Sequence, residues 1–286
     1  MRYLSTRGGD PASAAEAIVR GISPSGGLYV PESYPIIEWN NGVRGGYLAT
    51  AHRVMQAYLP ETDSAELQTM IAAAYKSFDH PDVTPLVKLS EREHILELWH
   101  GPTMAFKDVA LQMLPHLMRS SLRQTGETKQ VYILVATSGD TGKAALEGFR
   151  DVEGTRVLVF YPLGGVSEAQ RLQMVTQEGK NVDVCAVRGN FDDAQTGVKQ
   201  IFASAELAER LGKEGVRLSS ANSINFGRLL PQIVYYFTSY QQLVASGEIQ
   251  PGEKVNFCVP TGNFGDILAG EYARRMGLPV NKLICA

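Results

Sequence analysis

A lysine in an apolar setting is the first candidate for chemistry in this sequence. Lys107 lies in the segment HGPTMAFKDVAL, between Phe106 and Val109, directly after the apolar run ILELW. Because burial penalises a charged ammonium, a lysine enclosed by such neighbours tends to lose its proton or to find a partner. A neutral amine is the form that attacks an aldehyde. A solvated lysine on a helix surface is the ordinary alternative, and the apolar flanks argue against it.

Two glycine-rich turns after apolar strands could bind a phosphate group. Residues 137–142 read TSGDTG and residues 261–266 read TGNFGD, and each joins a strand-like run to a helical pattern. Glycine lets the backbone approach a ligand, and the next helix presents free N–H groups and its positive dipole end. Neither turn is a Walker A loop or a GxGxxG motif. Turn geometry alone explains one such turn, but two in one chain favour a ligand.

A third polar segment, SSANSINFGRLLPQ at residues 219–232, places polar amides, Ser223 and Arg228 before a helix. Taken alone, it is explained by a helix N-cap followed by a solvated arginine. Phosphate-binding turns together with a reactive lysine nevertheless make pyridoxal 5'-phosphate (PLP) a plausible cofactor, because its phosphate anchors it while a lysine holds its aldehyde. These residues by themselves do not select a reaction.

The elements that must position these residues alternate between strand and helix. Strand-like runs lie at 95–99, 131–136, 157–161, 182–187, 255–260 and 283–285, and helical patterns lie at 107–124, 142–151, 167–177, 191–211, 229–246 and 265–276. Continuous apolar strands that alternate with helices predict an α/β fold with parallel sheets covered on both faces. In such folds, ligands gather at the carboxyl ends of the strands, where both glycine-rich turns would lie.

Sequence pattern predicts a domain boundary, and composition argues against several classes of function. The first eighty residues are mainly helical in pattern, and DHPDVTPL marks a boundary, so we predict domains at 1–79 and 80–286. The net charge is −3, without a basic stripe, and apolar runs are too short to span a bilayer. We therefore expect neither nucleic-acid nor membrane binding. Widely spaced Cys185, Cys258 and Cys285 predict buried, reduced thiols in a cytoplasmic protein without a metal site.

Six motifs occur in the order typical of one enzyme family: YLSTRG, GGLYVPE, LELWHGPTMAFKD, ATSGDTG, NSINFGRLLPQ and PTGNFGD. On these motifs the chain resembles threonine synthase of the longer bacterial and fungal type over essentially its whole length. The resemblance implies a fold type II PLP enzyme, in which two α/β domains enclose the cofactor and an N-terminal extension is added. It also implies a reaction, the last step of threonine biosynthesis, which converts O-phosphohomoserine and water into L-threonine and phosphate.

The same resemblance implies roles for individual residues. Lys107 would form the Schiff base with PLP and carry protons during the reaction, and Asp140 would lie near the phenolic oxygen of the cofactor. The residues that would bind the cofactor phosphate are Gly262, Asn263, Phe264, Gly265 and Asp266. The residues that would bind the substrate are Thr137, Ser138, Asn222 and Arg228. Family members continue well past residue 286, so we expect an N-terminal part of a longer protein, with the partner of the pyridine nitrogen in the remainder.

Two alternatives stay open. The first is another fold type II lyase, such as a dehydratase or a phospho-lyase that releases a keto acid. A dehydratase acting on free serine or threonine has no phosphate to justify Asn222 and Arg228. The second is a non-catalytic α/β protein that binds a phosphorylated metabolite with the same turns. The oligomeric state is not predicted.

Overall fold

A computed structural model of the protein describes residues 1–37 and 46–286. The strands are Tyr3–Ser5 (β1), Tyr29–Pro31 (β2), Leu86–Lys88 (β3), His94–Leu96 (β4), Gln130–Ala136 (β5), Thr155–Pro162 (β6), Val182–Val187 (β7), Val216–Ser220 (β8), Val255–Val259 (β9) and Val280–Cys285 (β10). The helices are Ala14–Arg20 (α1), Gly46–Tyr58 (α2), Ser64–Tyr75 (α3), Asp108–Leu111 (α4), Leu114–Thr125 (α5), Asp140–Gly148 (α6), Glu168–Val175 (α7), Phe191–Ala203 (α8), Ala205–Lys213 (α9), Phe226–Ala245 (α10) and Gly265–Arg275 (α11).

The largest sheet is parallel and has the strand order β7-β6-β5-β8. Successive side chains of β5 point to opposite faces of this sheet, and each face packs against a different set of helices. Leu134 and Ala136 pack against α8, whereas Ile133 and Val135 belong to the larger core that includes residues of α6. A second, two-stranded parallel sheet joins β9 to β10, and two antiparallel pairs join β1 to β2 and β3 to β4. The predicted α/β fold with parallel sheets is confirmed.

Several elements differ from the sequence prediction, and helix α2 and strands β1 and β3 had no predicted counterpart. The helix expected over 107–124 is broken between α4 and α5, where Pro115 lies in the first turn of α5 and cannot continue a preceding helix. The helix expected over 191–211 is broken at Ser204, whose extended backbone and side chain cap α9. The run at 95–99 forms only the short antiparallel strand β4. Strand β8, which pairs with β5, was not predicted.

The N-terminal residues pack directly on the helices that carry the site. The ring of Tyr3 lies 4.7 Å from that of Phe226 at the start of α10. Asn225, fully buried, donates to the carbonyl of Ile18 in α1 and to that of Ser220 in β8, both at 3.0 Å. One hydrophobic core therefore runs from the first helix into the α/β region. The division of the chain at residue 79 stays a prediction.

The three cysteines are free and exposed, so the expectation that they are buried is wrong. Cys185 lies on β7, one of the two edge strands of the large sheet, and Cys258 and Cys285 lie on the two-stranded parallel sheet of β9 and β10. An apolar run predicts burial only where other elements cover both faces of its strand. Within residues 1–37 and 46–286, no helix is long and apolar enough to cross a membrane. The same residues contain no group of three His, Cys, Asp or Glu side chains suited to a metal ion.

Candidate active site

A cavity of about 440 Å³ lies beside the carboxyl ends of β5 and β8, against the first turns of α10 and α11. This is the edge of a parallel sheet where ligands of open α/β folds bind. Eight of the predicted site residues line it: Lys107, Thr137, Ser138, Asn222, Arg228, Asn263, Gly265 and Asp266. The fold thus brings the lysine segment and all three polar segments to one place, although they are far apart in sequence.

Lys107 directly precedes α4 and its side chain is 18% exposed. Its Nζ lies 3.6 Å from Oδ2 of Asp140 and 4.3 Å from the ring centre of Phe106. Burial lowers the pKa of Lys107, the carboxylate of Asp140 opposes that effect, and the nearby guanidinium of Arg228 adds to it. A larger fraction of this amine is therefore neutral at physiological pH than for an ordinary lysine, as attack on an aldehyde requires.

Arg228, in the first turn of α10, is 3% exposed and lacks a carboxylate partner among the described residues. Its Nη1 donates to the carbonyl of Ala221 at 2.6 Å, and its buried Nε has no hydrogen-bond partner among the described residues. Burial lowers the pKa of Arg228 to about 10. Oδ1 of Asn222 is likewise buried and unpaired among the described atoms. Because buried polar groups are nearly always hydrogen-bonded, these atoms indicate a polar ligand in the cavity.

The turn after β5 is held by the side chain of Thr137. Its Oγ1 accepts hydrogen bonds from the N–H groups of Gly139 at 3.0 Å and Gly142 at 2.9 Å, and donates to the carbonyl of Gly139. Thr137 therefore shapes the turn, and the other two hydroxyl side chains of the turn, Ser138 and Thr141, also line the cavity where a ligand could meet them. Gly139 has a φ of +147°, and a Cβ there would lie 2.4 Å from Cδ of Gln170. The glycine makes room for a protein side chain, whereas the sequence suggested room for a ligand.

Asp140 begins α6 and does not itself line the cavity, but its two carboxylate oxygens have separate partners. Oδ1 accepts a hydrogen bond from Nε2 of Gln170 at 2.8 Å, and Oδ2 faces Nζ of Lys107. The carboxylate thus connects the lysine to α7, a contact that sequence spacing could not indicate.

The turn before α11 contributes mainly its backbone. Asn263 and Gly265 line the cavity, whereas Gly262 lies outside its lining and Phe264 is 65% exposed. The carboxylate of Asp266 accepts hydrogen bonds from the hydroxyls of Tyr235 and Tyr236. Burial raises the pKa of Asp266, and those two hydrogen bonds oppose the rise.

Both tyrosine hydroxyls bond to Oδ1 of the Asp266 carboxylate. Since a carboxylate repels an anion, the part of Asp266 suited to a phosphate is its backbone N–H. The first turn of a helix leaves such N–H groups without intrahelical partners. The start of α11 is therefore a place where a phosphate could bind.

Several residues that line the cavity were not predicted. Gln232 donates to the carbonyl of Arg228 at 2.7 Å and so supports the segment that carries the arginine. Arg7 and Lys199 add two positive charges to the wall, and Ser223 adds a hydroxyl. Arg7 lies in the motif YLSTRG and Gln232 in the motif NSINFGRLLPQ, and this position in a motif was the one signal that could have identified them. Lys199 lies on an amphipathic helix, where a charged residue is usually solvated.

Comparison with known proteins identifies the family. A family model described as "Threonine synthase N terminus" matches residues 2–75. Threonine synthase from Pseudomonas aeruginosa is 45% identical over 100% of this chain. A crystal structure of PLP-bound threonine synthase from Brucella melitensis superposes on 100% of the chain with a TM-score of 0.88 and 41% identity. The chain belongs to the threonine synthase family. The predicted resemblance and the predicted fold type II architecture are confirmed.

The match covers all of this chain but only part of each relative. The chain spans 60% of the length of the Pseudomonas threonine synthase and 60% of the Brucella chain. The human protein named threonine synthase-like 1 is 41% identical over 95% of this chain, which covers 38% of that protein. Family membership leaves the roles of the individual site residues as predictions.

Proposed function

We propose that this chain carries the reactive lysine and the phosphate-binding groups of a PLP-dependent threonine synthase, which converts O-phosphohomoserine and water into L-threonine and phosphate. One observation carries the proposal: Arg228 is buried, unpaired by any described carboxylate, and lines the same cavity as Lys107. A buried guanidinium is strongly unfavourable unless an anion pairs with it, and its fork of N–H donors can bind a phosphate through two hydrogen bonds.

The residues of the cavity fit PLP. Lys107 offers an amine of lowered pKa, and the first turn of α11 offers backbone N–H groups to the cofactor phosphate. We assign this phosphate to the turn of Gly262, Asn263, Phe264, Gly265 and Asp266. When bound, PLP withdraws electrons from the carbon atoms of an attached amino acid. Among the described residues, the lining contains one other lysine, Lys199 of α8.

The protein's own groups would divide the remaining work. Arg228 and Asn222 would bind the substrate phosphate together with Ser138, and Thr137 would hold the turn in shape. Nζ of Lys107 would accept and return protons at the substrate, with Asp140 controlling the charge of that amine. Burial of Lys107 and Arg228 strengthens these charge interactions by excluding water from them.

The competing reactions are distinguished by their products. The protein, reconstituted with PLP, should be incubated with O-phosphohomoserine. Equal amounts of L-threonine and phosphate support the proposal. Phosphate with 2-oxobutanoate and no threonine would identify a phospho-lyase, and substrate binding without products would identify a binding protein. Lys107→Ala is the control that should lose product formation while the fold persists. We further propose that the enzyme acts on this free small molecule in the cytoplasm, with residues 1–79 as its N-terminal domain and 80–286 as part of its PLP-binding core.

A further inference from the structure

Gln170, in the first turn of α7, uses both ends of its side-chain amide. Its Oε1 accepts from the backbone N–H of Ser167 at 3.2 Å, and its backbone N–H donates to Oγ of Ser167 at 3.2 Å, which together form a capping box. Its Nε2 donates to Oδ1 of Asp140 at 2.8 Å. The capping box therefore fixes the glutamine, and the glutamine in turn fixes the aspartate at the start of α6.

The neighbouring glycine shows that the fold is built around this contact. Gly139 has a φ of +147°, a conformation that other residues rarely adopt. A Cβ at this position would lie 2.4 Å from both Cδ and Nε2 of Gln170. Any side chain at Gly139 would thus displace the amide from Asp140.

The charge on Lys107 depends on a small set of groups. Asp140 and Asp108 favour the charged amine, and Arg228 disfavours it. Asp266, across the cavity on α11, is also close enough for its titration to depend on Lys107. Asp108 has its carboxylate occupied by the backbone N–H and the hydroxyl of Thr103, at 2.7 and 2.6 Å. Asp140 differs from these groups because its side chain is 48% exposed and could turn into solvent if nothing held it.

We propose that Gln170 is a positioning residue, which holds Oδ1 of Asp140 so that Oδ2 stays directed at Nζ of Lys107. The importance of this role for catalysis rests on the proposed function, but the role itself is a property of the protein without cofactor. The contact is carried by the amide N–H of Gln170, so a side chain of similar length without a donor should release Asp140.

The test measures the protonation of Lys107 directly. The rate of reductive methylation by formaldehyde and cyanoborohydride, followed at the Lys107 peptide by mass spectrometry across pH, gives the midpoint at which this amine becomes reactive. In Gln170→Met the midpoint should fall by about half to one pH unit, because a half-exposed carboxylate no longer faces the ammonium. Circular dichroism checks that each variant is folded.

Two further variants separate positioning from a general effect on structure. Ser167→Ala removes the hydroxyl of the capping box but keeps the backbone N–H that holds Oε1 of Gln170. The side-chain amide should therefore stay in place, and the wild-type midpoint should be kept. In an Asp140→Asn background, Gln170→Met should produce no additional shift, since a residue that acts through Asp140 has nothing left to position.

An unchanged midpoint in Gln170→Met, an equal shift in Ser167→Ala, or an undiminished shift in the Asp140→Asn background would overturn the proposal. Failure of the wild-type protein to bind PLP would refute the proposed function while leaving this titration of Lys107 valid. The two ideas therefore fail separately.

Discussion

Replacement of Arg228 by methionine should make the ligand-free protein more stable and should abolish its stabilisation by phosphate. The arginine side chain is 3% exposed, and its described hydrogen bond is the one from Nη1 to the carbonyl of Ala221. Methionine fills much of the same volume without a charge. Replacing a buried charged group with an apolar one is often stabilising, because the desolvation cost disappears.

The expected magnitude follows from the pKa of Arg228. Burial lowers this pKa to about 10, which corresponds to about 3 kcal/mol of unfavourable free energy for the charged guanidinium relative to a solvated one. Loss of the hydrogen bond to Ala221 offsets about 1–2 kcal/mol of that gain. A net stabilisation of about 1–2 kcal/mol should raise the melting temperature by roughly 2–6 °C in a chain of this size.

The response to phosphate should change in the opposite sense. In the wild-type protein, phosphate at about 100 times its dissociation constant should add about 2.7 kcal/mol of stability. Arg228→Met should show little of this increase, because the main charge that binds the anion is gone.

The assay is a set of thermal melts over a range of inorganic phosphate concentrations, with ionic strength held constant by chloride. Arg274→Met is the matched control: it removes an exposed guanidinium that lies 2.7 Å from Glu271 and should alter neither quantity much. A variant of Arg228 that melts below the wild type and still responds fully to phosphate would refute the reasoning.

Three further predictions concern the supports of the site. Asn225→Ala should lower the free energy of unfolding by about 2–4 kcal/mol, since it removes the N-cap of α10 and the hydrogen bonds to the carbonyls of Ile18 and Ser220. Urea denaturation should detect this loss, and a value below about 1 kcal/mol would contradict the prediction. Gly139→Ala should lower the free energy of unfolding by about 1–3 kcal/mol because of the positive φ and the close approach of Gln170. At Gly262 an added Cβ would meet nothing within 4 Å, so Gly262→Ala should leave the melting temperature of the ligand-free protein unchanged. The adjacent carboxylates of Glu97 and Asp79 raise the pKa of His100, so the stabilisation by charged His100 is fully present below its unfolded pKa and is lost as pH rises through its folded pKa. His100→Gln should therefore lower the free energy of unfolding more at pH 6 than at pH 9. Equal losses at the two pH values would contradict this prediction.

Much of the fold could be predicted because its signals are local. Apolar runs bounded by glycine-rich turns indicated β5, β6, β7 and β9 within a few residues of their observed ends. Strand β8 was missed because its sequence, VRLSS, is half polar, and its place beside β5 arises from tertiary pairing. The exposure of Cys185 could not be predicted either, because apolarity does not reveal that β7 is an edge strand.

The site shows the same limit at the level of side chains. Lys107 and Arg228 were identifiable because apolar neighbours and ordered motifs surround them. The direction in which a polar side chain points was not identifiable. Thr137 turns out to hold its own turn, and the carboxylate of Asp266 bonds to tyrosines of α10. The sequence around Gln170 could indicate its capping box with Ser167 but not its contact with Asp140, which lies thirty residues earlier and meets it only through the packing of α6 on α7.

Covalent capture of the cofactor tests the central claim most directly. The protein should be incubated with PLP, reduced with borohydride, digested and mapped by mass spectrometry. The phosphopyridoxyl group is predicted on Lys107 and should disappear in Lys107→Ala. Lys143→Ala is the matched control, because the side chain of Lys143 is 19% exposed, close to that of Lys107, but does not line the cavity. Modification of Lys143 or Lys199 in place of Lys107, or no modification at all, would contradict the account.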